Sequence, residues 1–186
     1  GPSTATNTAT VTQAYRDTFT TAAYSNNNGA SNWNGNWTET GDNGSATTGD
    51  VTVSGGAAGR LQFLAGTDGG ETVARAVNLT GVTRATLSFT WESDELDPGS
   101  ESVSIQVRNT TNPNGIWTNL QTLGGNATGA YSVSLPANMI GANTQIRFLA
   151  NGSFEAGENF YVDNVNILTE IDTIVPVPGG PGNNYA

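Results

Sequence analysis

Cysteine, histidine and lysine are all absent from this chain of 186 residues. Without cysteine the chain can form no disulfide, no thiolate nucleophile and no cysteine-based zinc or iron–sulfur site. Without histidine it lacks the commonest general base and the commonest ligand of the softer metals. The absence of lysine removes Schiff-base chemistry and lysine–asparagine isopeptide links. Any catalysis would therefore have to rely on Asp, Glu, Tyr and Arg.

Positive charge is also scarce. The six basic residues are all arginine, and sixteen carboxylates bring the formal net charge to −10. Such a chain repels nucleic acid and anionic membrane surfaces, and no cluster of basic residues offsets that repulsion. No apolar run reaches the roughly 18 residues of a membrane-spanning helix, so membrane insertion is not expected. The surplus carboxylates instead favour binding of a divalent metal ion.

The two ends of the chain differ in composition from its middle. Gly1-Pro2-Ser3 is typical of a scar left by protease cleavage of a tag, and residues 1–14 are predicted to be flexible or, at most, an edge strand. Residues 171–186 are rich in proline and glycine and predict a linker or an edge strand, which implies other modules of a longer chain. The folded module is predicted over residues 15–170. The acidic, lysine-free composition, rich in Asn and Thr, is typical of bacterial proteins that are secreted or displayed at the cell surface.

Short alternating apolar runs recur along the chain, and no window has the 3.6-residue apolar period of a helix. Clusters of Gly, Asn, Asp and Pro separate these runs. The predicted strands span residues 16–25, 50–54, 59–65, 71–79, 85–93, 102–109, 115–123, 130–136, 144–150 and 160–168. This spacing predicts an all-β fold, an antiparallel jelly-roll-like β-sandwich of about ten strands. Residues 26–50 and 92–101 are predicted to form loops at one end of it.

The segment Phe160–Leu168 (FYVDNVNIL) is predicted to be a late strand with an irregularity in its middle. The alternation slips by one residue at Asp163-Asn164, which indicates a bulge or a switch of the buried face. A carboxylate inside an apolar strand is costly unless it has a partner. A cation is one possible partner of Asp163. Backbone amides, or an ion pair with Arg147 or Arg75, are the alternatives.

Two sequence elements resemble a known group of proteins. The W-x-x-x-W-x-E element of Trp33, Trp37 and Glu39, together with the terminal V-D-N-V of Val162–Val165, resembles jelly-roll, MAM-like and carbohydrate-binding-module-like β-sandwiches of bacterial secreted enzymes and adhesins. The resemblance covers Asp17–Leu168.

The resemblance implies a structural calcium ion where the first and last strands meet. Carried over to this chain, the implied ligands are Asp163 on the closing strand and candidates from the early segment, namely Asp17, Glu39 and Asp42. Flexible coordination by six to eight hard oxygens suits scattered carboxylates and loop carbonyls.

The densest acidic stretch, Glu92–Glu101, offers a possible second metal site. Its candidate ligands are Glu92, Asp94, Glu95 and Asp97. A solvated loop, in which water and salt screen the repulsion, is the alternative. A glycosidase acid pair is a further alternative, although no motif singles out a proton donor and a nucleophile.

Three tryptophans are candidates for stacking on sugar rings: Trp33, Trp37 and Trp117. The first two lie in the Asn-rich loop, where the alternative is that their rings cap the core. Trp117 follows the Asn112–Gly115 turn. Trp91 shares a strand face with Leu87 and Phe89 and is predicted to belong to the core.

These features predict a non-catalytic, extracellular recognition module that is stabilised by calcium. Its expected partner is a polysaccharide, a cell-surface glycan or another cell or matrix surface. One alternative is a structural or assembly domain of an adhesin, surface layer or filament. A second alternative is a glycosidase or lyase that works with carboxylates alone.

Overall fold

The fold was analysed in a computed structural model, which describes residues 6–111 and 115–176. The predicted tag scar Gly1-Pro2-Ser3, residues 112–114 of the turn before Trp117, and residues 177–186 of the predicted linker lie outside the described residues. No helix among the described residues has the length and apolar character needed to cross a bilayer.

Eleven strands and one turn of 3-10 helix follow one another along the described chain. The strands are β1 (Thr6–Asp17), β2 (Thr38–Thr40), β3 (Val51–Val53), β4 (Leu61–Phe63), β5 (Thr72–Val77), β6 (Arg84–Asp94), β7 (Ser102–Asn109), β8 (Thr118–Leu123), β9 (Ala127–Ser134), β10 (Thr144–Asn151) and β11 (Asn159–Pro176). The 3-10 turn, Ala137–Met139, lies between β9 and β10.

These strands form two antiparallel sheets. The six-stranded sheet has the order β3-β4-β11-β6-β9, and β1 also pairs with β11; the five-stranded sheet has the order β2-β5-β10-β7-β8. The predicted all-β antiparallel sandwich is therefore confirmed.

The core lies between the sheets because most strands alternate buried and exposed side chains. In β10 the residues Ile146, Phe148 and Ala150 point inward, whereas Gln145 and Arg147 lie on the outer face. A period of two residues places alternate side chains on opposite faces of a strand. The outer face of the five-stranded sheet is therefore polar.

The first strand differs from the prediction in its position. The sequence predicted that residues 1–14 are flexible or at most an edge strand and that the first main strand spans 16–25, but β1 runs from Thr6 to Asp17 along β11. Its β-branched threonine and valine residues suit an edge strand. Phe19 then has a φ of 48°, in the left-handed region, so the extended chain ends there. Residues 171–176, in the predicted linker or edge strand, belong to β11.

The last strand occupies the middle of the six-stranded sheet. One edge of β11 pairs with β6, and the other pairs first with β4 and then with β1. The register to β6 shifts between Asp163 and Asn166, and Asn164 has a φ of 54°. This is the irregularity that the slip in alternation predicted. It keeps Val162 and Val165 both on the buried side, although they are three residues apart.

Candidate functional site

Asp17, the predicted early cation ligand, is fully buried and paired with an arginine. Its carboxylate accepts hydrogen bonds from the Phe19 amide (2.8 Å) and Trp37 Nε1 (2.8 Å), and from Arg75 Nη1 at 2.6 Å. Both side chains of the ion pair are almost inaccessible, at 0% exposure for Asp17 and 1% for Arg75. The expectation of a cation at Asp17 is therefore corrected, because a guanidinium already neutralises the carboxylate.

Burial affects the two members of this ion pair in opposite senses. Desolvation raises the pKa of Asp17, although its three hydrogen-bond donors and the charge of Arg75 act to lower it. Desolvation lowers the pKa of Arg75 to about 10, although Asp17 acts to raise it. Both shifts show that removing the charges from water is expensive, and that the pair persists because each charge compensates the other.

Asp163 lies at the bulge of β11 and is bonded to its own neighbour. Its two carboxylate oxygens accept hydrogen bonds from the Asn164 backbone amide (2.5 Å) and from Asn164 Nδ2 (2.8 Å). Arg16 Nη2 donates in turn to Asn164 Oδ1 at 2.7 Å. Burial raises the pKa of Asp163, while the Asn164 amide, Arg16 and Arg60 lower it. Local amides are thus the observed partners, and Asp17, directed into the core, does not join Asp163.

Glu39 and Asp42, the other two predicted ligands, organise the loop after β2. Glu39 accepts hydrogen bonds from the Tyr24 hydroxyl (3.2 Å) and from the amides of Asp42 (3.2 Å) and Gly44 (3.0 Å). Asp42 accepts from the amides of Asp50 and Val51, at 2.7 and 3.0 Å. Their carboxylates therefore accept the hydrogen bonds of loop amides that have no carbonyl partner in a regular strand or helix. The structure does not bring the four predicted ligands into one site.

The strand registers place the loops after β2, β4, β6 and β10 at one end of the sandwich. We call this end, with the adjoining strand ends, the acidic end. It holds ten of the sixteen carboxylates and none of the six arginines. The ten are Asp42, Asp50, Asp68, Glu71, Asp94, Glu95, Asp97, Glu101, Glu155 and Glu158. Such a concentration of one sign of charge favours a bound proton or cation.

Three of these acids converge closely enough to share an ion. Asp97, Glu101 and Glu158 each place one carboxylate oxygen within 4.8 Å of the others. Glu101 and Glu158 are only 8% and 7% exposed. The Asp97 amide lowers the pKa of Glu101, but burial together with the negative charges of Glu158 and Asp97 outweighs it, so the pKa is raised. These three carboxylates could hold a metal ion through hard oxygen ligands.

A second buried carboxylate at the acidic end lacks a full set of partners. Glu71 is 5% exposed; its Oε1 accepts a hydrogen bond from the Asp68 amide at 2.7 Å, whereas its buried Oε2 has none. Nearby, burial raises the pKa of Asp50, and the charges of Asp42, Glu71 and Asp68 raise it further. An unpaired buried carboxylate oxygen costs free energy unless a proton or a cation compensates it.

The predicted second metal set is divided by the fold. Glu92 forms an ion pair with Arg60 at 2.6 Å on the outer face of the six-stranded sheet. Asp94 ends β6, and exposed Glu95 has a positive φ of 57°. Only Asp97 belongs to the converging triad. Glu101 lies in the acidic stretch but was not among the predicted ligands. Glu158 was not predicted because its contact with Glu101 joins distant parts of the chain.

Trp33 and Trp37 lie inside the protein, at 6% and 2% exposure. Their ring centroids are 6.0 Å apart, and Trp37 also stacks against Phe19 at 6.3 Å. The guanidinium of Arg75 lies 4.9 Å from the centroid of Trp33. Their expected role as sugar-stacking residues is corrected: the Asn-rich loop folds back, and the two rings cap the core.

Trp91 and Trp117 have different surroundings. Trp91 was predicted to belong to the core, but it is only partly buried and packs against the core, where it stacks on Phe160 with centroids 5.8 Å apart. Trp117 is half-buried and lies outside the core, just before β8. The guanidinium carbons of Arg108 and Arg147 lie 4.4 and 4.3 Å from its ring centroid. Trp117 is thus the one predicted tryptophan of the three that lies at the surface.

A groove of about 510 Å³ runs over the outer face of the five-stranded sheet beside Trp117. Strand register sets its floor: Ala76, Gln145 and Arg108 are cross-strand neighbours in one row, and Ala74 and Arg147 are neighbours in the next. Its lining is Asn34, Gly35, Asn36, Thr38, Thr40, Thr72, Ala74, Arg75, Ala76, Arg108, Trp117, Gln145 and Arg147. Alanines and threonines on the floor leave room for a ligand chain.

The electrostatic character of the groove is the reverse of that of the protein as a whole. Among the described lining residues there is no carboxylate, whereas Arg108 of β7 and Arg147 of β10 are diagonal neighbours in adjacent rows of the sheet. Desolvation lowers the pKa of Arg147, and the charge of Arg108 lowers it further. Arg75 also borders the groove, but its side chain points into the core and is neutralised by Asp17. We call this site the arginine groove.

A smaller depression of about 230 Å³ lies over the six-stranded sheet. Its lining includes Glu92, Asp163 and Tyr161, and the guanidinium carbon of Arg60 lies 3.6 Å from the centre of the Tyr161 ring. Since Arg60 engages both Glu92 and Tyr161, the charged groups here satisfy one another. This depression therefore offers fewer free groups to a ligand than the arginine groove does.

Comparison with solved structures identifies the class of fold. The CBM22-1–GH10 modules of Clostridium thermocellum endo-1,4-β-D-xylanase 10B, complexed with xylohexaose, are 12% identical with a TM-score of 0.53, over 84% of this chain and 28% of that chain. The CBM22-1 xylan-binding domain of Paenibacillus barcinonensis Xyn10C is 12% identical with a TM-score of 0.49, over 84% of this chain and 92% of that chain. A scan of protein-family models and a search of the curated proteins each gave no match.

The similarity to these structures is a similarity of fold. The fold is a jelly-roll β-sandwich similar to one in the Clostridium thermocellum CBM22-1–GH10 structure, which confirms that part of the resemblance seen in the sequence. At such low identity the likeness identifies the fold, and the use of the site has to be argued from this chain's own residues.

Proposed function

We propose that this chain is a non-catalytic module that binds polysaccharide in the arginine groove. The observation that carries the proposal is the indole of Trp117 at an open groove with amide, hydroxyl and guanidinium groups. Aromatic rings offer sugar rings an apolar surface, and Asn34, Asn36 and Gln145 can exchange hydrogen bonds with sugar hydroxyls. The similar fold in the Clostridium thermocellum structure, complexed with xylohexaose, adds support.

The chemistry of the groove favours binding over catalysis. Glycoside hydrolysis in most enzymes needs two carboxylates flanking the scissile bond. The described lining of the arginine groove contains none, and the chain has no histidine, cysteine or lysine to replace them. The smaller depression is lined by two carboxylates, but Glu92 is held by Arg60 at 2.6 Å and Asp163 accepts hydrogen bonds from Asn164. Retention of the polymer without turnover is the expected behaviour.

Calorimetric titration with xylohexaose, β-1,4-galactotriose and soluble xylan tests the binding site. We expect Trp117→Ala to weaken binding roughly 30-fold or more, the loss that a hot-spot aromatic residue gives. The matched control is Tyr161→Ala, because Tyr161 is also a surface aromatic ring beside an arginine, but on the other sheet. Loss of binding in Tyr161→Ala alone would indicate that the glycan binds in the smaller depression and not in the arginine groove. No binding to any glycan, with calcium-dependent oligomers in sedimentation, would favour an assembly domain.

We also propose that a calcium ion binds at the acidic end, with Asp97, Glu101 and Glu158 as its ligands. Two nearly buried carboxylates that face each other are stable only with a shared proton or a cation between them. Hard carboxylate oxygens suit calcium, whose coordination geometry is flexible. The unpartnered Oε2 of Glu71 adds a further uncompensated charge at the same end. This proposal replaces the ligand set that the sequence resemblance implied.

Thermal unfolding with calcium and with EDTA tests the metal site. Calcium at about 100 times its dissociation constant stabilises by about 2.7 kcal/mol. For a domain of this size that corresponds to a rise in Tm of roughly 5–10 °C. We expect Glu158→Gln to remove the calcium effect and Asp163→Asn, the matched control, to retain it. Loss of the calcium effect in Asp163→Asn but not in Glu158→Gln would favour the site predicted from the sequence. A wild-type Tm that does not change in EDTA would refute calcium binding.

We further propose that the module acts outside the cell, as part of a longer secreted or surface-attached chain. Polysaccharides of the kind it would bind lie outside the cytoplasm. The Clostridium thermocellum structure, in which such a sandwich is joined to a GH10 module, gives one example of this arrangement. Fractionating cells that express the full parent chain should place it in the medium or on the cell surface.

A further inference from the structure

We propose that the arginine groove selects acidic polysaccharides, those with uronic acid carboxylates or comparable anionic groups, over neutral ones. This inference rests on the proposed glycan binding and specifies the chemistry of the ligand. Arg108 and Arg147 would pair with carboxylates of the glycan, while Trp117 supports the sugar ring beside them.

Among the described residues, Arg108 and Arg147 have no carboxylate partner. All four ion pairs of the described chain involve Arg60, Arg75 or Arg84. Arg108 and Arg147 lack one although carboxylates outnumber arginines by sixteen to six. Each donates only its Nε to a glutamine oxygen, at 2.7 Å in both cases. Two adjacent unpaired cations in a groove without carboxylates favour an anionic ligand.

Both guanidinium groups are held in place before a ligand binds. One side of each is fixed by the indole of Trp117. The Nε of Arg108 is fixed by Gln145, and that of Arg147 by Gln106. Their terminal Nη atoms, by contrast, have no hydrogen-bond partner among the described residues. Those atoms form the fork that binds a carboxylate through two hydrogen bonds, and a preoriented fork loses little entropy on binding.

An anion can approach the groove although the protein has a net charge of −10. Most carboxylates lie at the acidic end, next to Ser102 at the start of β7. Arg147, opposite Gln106, and Arg108 lie four and six residues from that end of the strand, which corresponds to about 14 and 20 Å at roughly 3.4 Å per residue. The Debye length at physiological salt is only about 8 Å. The repulsion is therefore largely screened at the groove, where the two arginines dominate the local field.

Paired polymers that differ only in charge test the selectivity. Polygalacturonate can be compared with its fully methyl-esterified form, and glucuronoxylan with its carboxyl-reduced form. We expect the acidic member of at least one pair to bind ten-fold or more tightly at about 0.1 M salt, where the repulsion from the acidic end is screened. The advantage should shrink when salt rises from about 0.1 M to about 1 M, because the Debye length falls from about 10 Å to about 3 Å and the arginines themselves are then screened.

Matched variants then assign any selectivity to the groove. Arg147→Gln and Arg108→Gln should each remove most of the advantage, whereas Arg147→Lys should retain part of it, because charge survives without the fork. Arg84→Gln is the control: it removes the same charge from an exposed arginine that pairs with Glu170 and Asp172 on the other sheet. Circular dichroism and the Tm of each variant verify that it is folded.

The outcomes separate this inference from the proposed function. Equal binding of acidic and neutral polymers, abolished by Trp117→Ala, would overturn the selectivity and leave the glycan site intact. No binding of any polymer would refute both. An equal effect of Arg84→Gln would show that only net charge matters, which also overturns the assignment. Tighter binding of a single-stranded oligonucleotide than of every polysaccharide would identify a different anionic ligand and refute the proposal.

Discussion

Replacing Asp17 by asparagine would leave the guanidinium of Arg75 inside the protein without a counter-charge. The side chains of both residues are at most 1% exposed, and their shortest N–O distance is 2.6 Å. Removing one member of a buried ion pair typically costs about 3–5 kcal/mol, because the remaining charge stays desolvated. Asparagine is nearly isosteric with aspartate, so this cost reflects lost charge and not a cavity. We expect Asp17→Asn to lower the unfolding free energy by that amount.

Urea denaturation, with the midpoint and slope fitted together, measures this loss directly. At roughly 2–4 °C per kcal/mol for a domain of this size, the corresponding fall in Tm is about 6–20 °C. The double variant Asp17→Asn/Arg75→Met should recover part of the loss, because it removes the orphaned charge as well. The loss should also be the same in calcium and in EDTA. A cost below about 1 kcal/mol, or one that appears only in calcium, would refute the role of Asp17 in an ion pair.

Three further predictions follow from packing, titration and backbone conformation. Trp37→Ala should cost about 3–5 kcal/mol in urea denaturation, whereas Trp117→Ala, outside the core, should cost far less; equal costs would contradict the assignment of Trp37 to the core. Burial and neighbouring charge raise the pKa of Glu101 above its unfolded value. In EDTA its stabilising contribution is therefore complete below about pH 4.3 and lost as the pH rises through the folded pKa. The Tm difference between calcium and EDTA should then widen from about pH 4 to about pH 7, and a constant difference would contradict the metal site. Asn164→Ala should cost roughly 1–2 kcal/mol for its left-handed backbone, and Asn164→Gly should cost less; equal costs would show that the side-chain hydrogen bonds, which both variants lose, dominate.

Local pattern was sufficient to predict most of the sandwich. In β7 and β10 the alternation of apolar residues is strict, so the predicted and observed strands nearly coincide. The bulge at Asp163 was also visible, since it shifts the alternation by one. β1 was misplaced because its residues are mostly polar and its conformation depends on pairing with β11. That pairing joins residues more than 140 positions apart, which no local pattern encodes.

The site was less predictable because it depends on which side chains from distant strands and loops come together. Alternation indicates that Arg75 points inward with its strand's valines and that Arg147 points outward, but not which side chains each of them meets. The sequence showed that arginine is scarce but not which arginines lack carboxylate partners. Trp33 and Trp37 occur in a segment whose composition is typical of an exposed loop, and only the folded chain shows that the loop turns its rings inward. Trp117 was a candidate from the beginning, but the arginines beside it were not.

The pairing of β1 with β11 has a mechanical consequence. Thr6 and Pro176 are cross-strand partners at one end of an antiparallel ladder that continues to Asp17 and Val165. A force that pulls these two ends apart acts across the ladder, so it opens the pairs one after another instead of shearing them all at once. Peeling would expose Asp17 and the aromatic core only after the other pairs had separated. The sandwich would then yield gradually from this corner under tension, while the strands that carry Arg108 and Arg147 stayed paired.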